Sequence, residues 1–149
     1  MPFLITVKYL PTKYFEMFKL TTTKIFVNGT FDVVHVAHLR MFAYAKSLGT
    51  ELHVAIDSTR RIQELKGPSR PINSLEDRLE FLSHIKSIDS VSVFDTDEDL
   101  INTIKNYKPD IMVKGSDWRN GIIIGAEHVP KIEFFERIDG YSTTNIVSR

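Results

Sequence analysis

Residues 28–40 read NGTFDVVHVAHLR, and this stretch decides how the rest of the chain is organised. It opens on a Gly-Thr turn, passes through Asp32, and sets His35 and His38 three residues apart at the head of an apolar run. Before it, KIFVN (24–28) is short, apolar and rich in β-formers, and it stops at Gly29, as a buried strand does. After it, VAHLRMFAYAKSLG (36–49) reads as a helix, with Val36, Leu39, Phe42 and Ala43 on its apolar face and Gly49 as its stop. A strand that turns directly into a helix leaves unpaired N–H groups and the positive end of the helix dipole facing the turn.

The pattern repeats outward from that unit. ELHVAID (51–57) reads as a second strand. STRRIQELKGPSRPI (58–72) is polar and punctuated by Gly67, Pro68 and Pro71, so it is expected to be a mobile loop. Asn73 is placed to cap a helix, with Glu76 three residues on as in a capping box, and Leu75, Leu79, Leu82, Ile85 and Ile88 supply its apolar side. SVSVFD (90–95) is a third strand. TDEDLINTIKNY opens with acids in its first turn, which suits a helix start, and Pro109 ends it. DIMVKG (110–115) and KIEFFER (131–137) are the fourth and fifth strands, and STTNIVSR begins a last helix capped by Ser142.

Such alternation predicts the α/β class: a Rossmann-like, doubly wound sheet of five parallel strands with helices on both faces. Sheets of this kind bind ligands beyond the carboxyl ends of their strands. The polar, glycine-punctuated segments do follow strands: GTFDVVHVAH after the first, KGSDW after the fourth, ERIDGYSTT after the fifth.

At 149 residues the chain suits one domain with one sizeable core. Apolar residues make up 42% and charged residues 26%, which argues against disorder. Lys+Arg and Asp+Glu are both 19, so the basic excess of a nucleic-acid-coating protein is missing. There is no cysteine, which removes thiolate metal sites and Cys nucleophiles and fits a cytoplasmic setting. No apolar run approaches the ~20 residues of a membrane span, and MPFLITV lacks a basic leader. Residues 1–23, broken by Pro2, Pro11 and a Thr run, form no periodic element, and Met17 is an alternative start. They are expected to be an N-terminal extension to a domain of residues 24–149.

Three explanations compete for the two histidines. A zinc site needs a third and fourth ligand, and His53, His84 and His128 fall in a strand, a helix and a short segment. Simple packing explains one histidine better than two beside a Gly-Thr turn and an acid. A phosphate notch accounts for most: Gly29 lets backbone approach an anion, and His35 and His38 can donate toward it at the helix start. Lys66, Arg70, Lys114 and Arg137 lie in loops or at strand ends, and Arg78 is early in the second helix.

Gly29, Phe31, Asp32, His35 and His38, in register after a strand, resemble the G-x-F-D-x-x-H-x-G-H signature of the cytidylyltransferase-like nucleotidyltransferases. KGPSRPINSLEDRLEFL resembles that family's lysine loop and arginine helix, and VKGSDW and GYSTTNI its later nucleotide-binding segments. The resemblance covers roughly residues 24–147. In pattern it is nearest the bacterial heptose-1-phosphate adenylyltransferase domain, then glycerol-3-phosphate cytidylyltransferase. It implies transfer of a nucleoside monophosphate from ATP or CTP to a sugar- or polyol-phosphate, with magnesium and release of pyrophosphate.

The resemblance also implies roles for individual residues. His35, His38, Lys66 and Arg78 would be catalytic. Gly29, Thr30, Phe31, Asp32, Lys114, Gly115, Asp117, Arg137, Ser142, Thr143 and Thr144 would hold the nucleotide, with Trp118 nearby. Asp32 would orient a histidine or hold magnesium through water. Neither nucleic acid nor membrane is an expected partner. Family members are often homodimers, and the first helix with the loops is the candidate interface.

One departure stands out: Ala37 replaces the glycine usual between the histidines. Its methyl group faces a crowded position, where it would shift the nucleotide, lower activity or alter base preference. A catalytically impaired nucleotide-binding module is therefore the alternative of another class. A dinucleotide-dependent oxidoreductase would need G-x-G-x-x-G after the first strand, and NGTFDVVH lacks it.

Overall fold

The structure is a computed structural model that describes residues 22–136 together with 142, 147 and 148. Five strands form one all-parallel sheet: β1 (Lys24–Gly29), β2 (Glu51–Asp57), β3 (Ser90–Phe94), β4 (Ile111–Gly115) and β5 (Lys131–Phe135). Four α-helices link them: α1 (Val36–Ser47), α2 (Thr59–Lys66), α3 (Leu75–Ser83) and α4 (Asp97–Tyr107). Two single-turn 3-10 helices, Ser116–Trp118 and Ala126–His128, lie between β4 and β5.

The strand order is β3-β2-β1-β4-β5. The chain winds outward from β1 to β3, returns beside β1 at β4, and winds outward again. The reversal point therefore lies between β1 and β4. The alternation of side chains along the strands builds a core on each face. Ile25, Val27, Leu52, Val54 and Ile56 pack toward Phe42 and Ala45 of α1 and Leu82 of α3. Phe26, Ala55 and Met112 pack toward Leu100 and Ile104 of α4.

Three local expectations change. The segment expected to be a loop contains α2. Ser58 caps it by accepting from the Arg61 N–H at 3.1 Å. Ile62 is buried, and Arg61 bridges Asp57 at 2.8 Å and Asp97 at 2.7 Å. The helix anchors one apolar residue and two ion pairs, so it shows no wide apolar stripe in sequence; Gly67, at φ 95°, ends it.

The cap of α3 is Ser74, not Asn73: its hydroxyl accepts from the Asp77 N–H at 3.1 Å. Asn73 is held elsewhere, donating its backbone N–H to Asp32 Oδ1 at 2.8 Å and its side-chain amide to the Asp32 carbonyl. Finally, the buried face of α1 is Ala37, Phe42 and Ala45, while Leu39 and Ala43 are exposed. The small alanines bring the helix close to the sheet and rotate the expected stripe. The expected last helix falls almost wholly outside the described residues, as do residues 1–21 of the extension. Thr23 joins the sheet base, its carbonyl accepting from the N–H groups of Thr50 and Glu51 at 2.9 and 3.3 Å.

Candidate active site

β1 and β2 pair along six residues, but β1 and β4 pair only at Ile25↔Ile111 and Phe26↔Met112. Beyond that point the strands part toward their carboxyl ends. A cleft of about 380 Å³ opens there, lined by Val27, Asn28 and Gly29 from one strand and Val113, Lys114 and Gly115 from the other. The start of α1, the end of α2 and the turn after β4 close its sides.

His35 is the N-cap of α1, in extended backbone, and His38 is its third residue. The two rings stack with centroids 3.8 Å apart and planes 19° from parallel. His38 Nδ1 accepts from the His35 backbone N–H at 3.3 Å. That bond places the neutral ring's proton on Nε2, which becomes the donor. Burial, and secondarily the charge His35 would carry, lower the His38 pKa to about 4. Burial also lowers that of His35. At neutral pH the pair is thus uncharged in the free protein, and it lines the cleft as donors.

Phe31 wedges this arrangement. It occupies the left-handed region at φ 45°, a strained conformation for a bulky residue. Its ring meets the His38 ring edge-on at 5.3 Å and Phe42 at 5.0 Å. Gly29 makes room for it, since a Cβ there would lie 3.0 Å from the Phe31 ring.

On the opposite wall Lys114 is almost enclosed, at 8% exposure. Its ammonium donates to Asn28 Oδ1 at 3.3 Å and lies 4.7 Å from the centre of the Trp118 ring. Burial lowers its pKa, while Asp57 and Asp117 push the other way. Gly115 leaves room for Asp117, since a Cβ there would lie 2.6 Å from Asp117 Oδ1 and displace that carboxylate. Lys66, Asp117, Trp118 and Ser142 line the same cleft, as do Thr30 and Phe31. Arg137, Thr143 and Thr144 lie outside the described residues.

Two nominated residues stand elsewhere. Arg78, expected to hold a phosphate, is 1% exposed and does not line the cleft. Its Nη1 donates to the Thr30 and Asp57 carbonyls at 3.2 and 2.8 Å. Its Nε and Nη2 are buried and have no partner among the described residues. Burial lowers its pKa, opposed by Asp32, Asp57 and Glu76. Arg78 therefore ties the ends of β1 and β2 together from beneath.

Asp32 is 5% exposed. Its two oxygens accept from the backbone N–H groups of Ile72 and Asn73 at 2.7 and 2.8 Å, and Arg70 stands 3.8 Å away. It anchors the segment that follows α2 and reaches neither histidine through a described hydrogen bond. Among the described residues no three His, Cys, Asp or Glu side chains cluster to hold a metal.

The structure adds residues that sequence reasoning passed over. Asp57, at the end of β2, accepts from the Thr30 hydroxyl at 3.3 Å and pairs with Arg61. Met41 and Phe135 join Ala37, which the motif comparison had marked, in an apolar wall of the cleft. An acid ending a parallel strand was the available signal for Asp57; nothing in the pattern marked Met41 or Phe135.

A model of the family described as cytidylyltransferase-like matches residues 26–149. The protein named bifunctional protein HldE from Campylobacter fetus subsp. fetus (strain 82-40) is 41% identical over 127 residues, covering 85% of this chain and 28% of the relative. The HldE of Syntrophotalea carbinolica (strain DSM 2380 / NBRC 103641 / GraBd1) is 40% identical over 131 residues, covering 85% and 26%. The chain thus spans about a quarter of the length of these curated relatives. Among solved structures, the lipopolysaccharide core biosynthesis protein from Thermoplasma volcanium GSS1 superposes with a TM-score of 0.62 at 23% identity, covering 78% of this chain and 98% of that one; this likeness concerns the fold.

The buried, backbone-bonded His38 predicts a titration. In the free protein its ring should stay neutral until the pH nears about 4, against 6.5 for an unperturbed histidine. As pH falls from 6.5, the unfolded chain takes up the proton first, so stability declines through that window and levels off below it. NMR titration of the ring protons checks this; a midpoint near 6.5 would refute the environment described. Arg78→Met should cost ~2–4 kcal/mol of unfolding free energy in urea, because two buried carbonyls lose their donor. An undiminished stability with a raised KM for substrate would return Arg78 to the ligand-binding set.

Proposed function

The chain belongs to the cytidylyltransferase-like family, and from that premise we propose that it is a nucleotidyltransferase. The reaction joins a phosphate ester to the α-phosphorus of a nucleoside triphosphate. An acceptor phosphate oxygen forms the new P–O bond, the bond to the β-phosphate bridging oxygen breaks, and pyrophosphate leaves. The observation that carries this reading is the stacked histidine pair at the head of α1, in the crevice where β1 and β4 part, with Lys66 and Lys114 on the same cleft.

An ionised acceptor phosphate needs no base to activate it. The obstacle is the meeting of two anions, so alignment and charge stabilisation are what the protein must supply. His38 donates from Nε2 to an oxygen of the α-phosphate, and His35 supports it from the helix cap. The start of α1 adds the positive end of the helix dipole. Lys66, carried at the end of α2, faces the phosphates from one side, and Lys114 meets the nucleotide from the other. Asp117 and Trp118 border the ribose and base, against the apolar wall of Ala37, Met41 and Phe135. Thr30 is held by Asp57 and offers its backbone, and Ser142 stands near the phosphate tail; Arg137, Thr143 and Thr144 are proposed to complete that end.

Magnesium is the expected counter-ion of the triphosphate. Asp32 does not fit the task of holding it, since both oxygens are committed to backbone N–H groups. No step here runs through a metal on that residue.

The motif pattern favours ATP and heptose 1-phosphate as substrates, with CTP and glycerol 3-phosphate as the alternative pair; such substrates place the reaction in the cytoplasm. A second reading, a nucleotide-binding module with impaired catalysis, draws on Ala37, which lines the cleft and lies between the two histidines in the sequence.

A matrix of the four nucleoside triphosphates against heptose 1-phosphate, glycerol 3-phosphate and phosphocholine, read by pyrophosphate release, separates these readings. His35→Ala and His38→Ala should each lower kcat ~100-fold or more, with Lys66→Ala raising KM as well. Turnover within a few-fold of wild type for both histidine variants would refute the mechanism. Silence across the whole matrix, with nucleotide still bound, would support the impaired module, and Ala37→Gly would then be the variant expected to recover activity.

A further inference from the structure

On the side of the sheet that packs against α4, the core residues Phe26, Ala55 and Met112 come from β1, β2 and β4. Side chains along a strand return to the same side at every second residue. Two residues on from each of these, at the carboxyl edge, stand Asn28, Asp57 and Lys114. The apolar core of that side thus ends in a polar row across three strands. Its contacts run from strand to strand. The Thr30 hydroxyl donates to Asp57 Oδ2 at 3.3 Å, and the Lys114 ammonium donates to Asn28 Oδ1 at 3.3 Å.

Lys114 is the member of the row that needs support. Its close contacts among the described residues are the neutral Asn28 oxygen and the Trp118 ring, and no carboxylate pairs with it directly. Burial works against its charge; Asp57, and after it Asp117, work in favour. These two carboxylates differ in setting. Asp117 sits on an exposed turn, where water and salt weaken its field. Asp57 is 7% exposed, so its charge acts through protein.

The groups around Asp57 leave that charge in place. Its Oδ1 accepts from Arg61 Nε at 2.8 Å, but Arg61 also donates to Asp97 at 2.7 Å, so two carboxylates share one guanidinium. Arg78 bonds the backbone carbonyl of Asp57 at 2.8 Å, not its carboxylate. The remaining titratable groups on the cleft are His35, His38 and Lys66, none of which supplies negative charge to Lys114.

We propose that Asp57 is a positioning residue for this site: from the next strand but one, it holds Lys114 as a cation on the wall that meets the nucleotide. Asp57 itself touches no substrate. What Lys114 meets rests on the nucleotidyltransferase reading above; how its charge is held rests on the polar row alone.

Asp57→Asn tests this with little change of shape, since the amide oxygen can accept from Arg61 while the amide N–H donates to the Thr30 hydroxyl oxygen. The protein, isotope-labelled at the lysine Cε atoms, is titrated by NMR without ligand, and Lys114→Met assigns the Lys114 signal. The Lys114 midpoint should fall to lower pH in Asp57→Asn, fall less in Asp117→Asn, and stay close to the wild-type position in Asp57→Glu, which keeps the charge. Affinity for ATP, and for CTP in parallel, measured by calorimetry across the alkaline range, should decline at lower pH in Asp57→Asn than in the wild type.

A Lys114 midpoint unmoved by Asp57→Asn, or moved no further than by Asp117→Asn, overturns the proposal. So does a nucleotide affinity lowered by the same factor at every pH, which is what a purely structural defect gives. Should Asp57→Asn not fold, Asp117→Asn decides: Lys114 must stay charged at neutral pH with Asp57 as the carboxylate left acting on it, and a neutral Lys114 there overturns the proposal. The expected NMR shifts in a protein that binds neither nucleotide at any pH would refute the nucleotide reading of the cleft and leave the hold of Asp57 on Lys114 standing.

Discussion

The structure depends on where one β-ladder stops. β1 pairs with β2 through Gly29↔Ile56, yet with β4 no further than Phe26↔Met112. The two central strands must separate there because the chain leaves β1 toward one side of the sheet and leaves β4 toward the other. The freed ends carry Asn28, Gly29, Lys114 and Gly115, residues that are small or can hydrogen-bond into the gap. Thr30, His35, His38, Lys66, Asp117 and Ser142 line that opening. A ladder continued to the strand ends would fill it with backbone.

The opening is held from beneath rather than from within. Arg78 reaches up from α3 to the carbonyls of Thr30 and Asp57, and so fixes the ends of β1 and β2 relative to each other. Asp57 in turn holds the Thr30 hydroxyl and the Arg61 guanidinium, and Arg61 joins α2 to the start of α4 through Asp97. Asp32 performs the equivalent task for the segment leading into α3. These buried charges are individually expensive to desolvate, and their compensation lies in hydrogen bonds to backbone that a loop-built site would otherwise leave mobile. A rigid turn is what lets two neutral imidazoles, carrying no charge of their own, hold a donor in a set direction.

The wall opposite the histidines is built differently. Lys114 keeps its ammonium in a nearly closed space by resting against Trp118 and Asn28, with Asp117 and Asp57 supplying nearby negative charge. The cleft therefore pairs one side of neutral donors with one side bearing a partly screened cation. An anion entering between them meets hydrogen-bond donors on one wall and the Lys114 ammonium on the other.

By itself the sequence determined the alternation of five strands with α1, α3 and α4, the parallel sheet and the family. It also pointed to the turn carrying His35 and His38, because strand period, glycine and helix start coincide within a few residues and each is a local property. It placed Lys114, Gly115 and Asp117 at and just after the end of a strand, where the cleft has them, but set Lys66 in a loop where the structure has the end of α2. Tertiary structure decided which face each side chain presents. Spacing put Arg78 on a helix near the site, but packing of α3 against the sheet turned its guanidinium inward. Asp32 sits within the motif itself, yet Ile72 and Asn73, forty residues on, claim both its oxygens. α2 escaped the reading because its anchors are an isolated buried isoleucine and carboxylates on other elements, and no local period records those. Periodicity reports what a residue's neighbours in sequence require, whereas burial and ion pairing report what its neighbours in space allow.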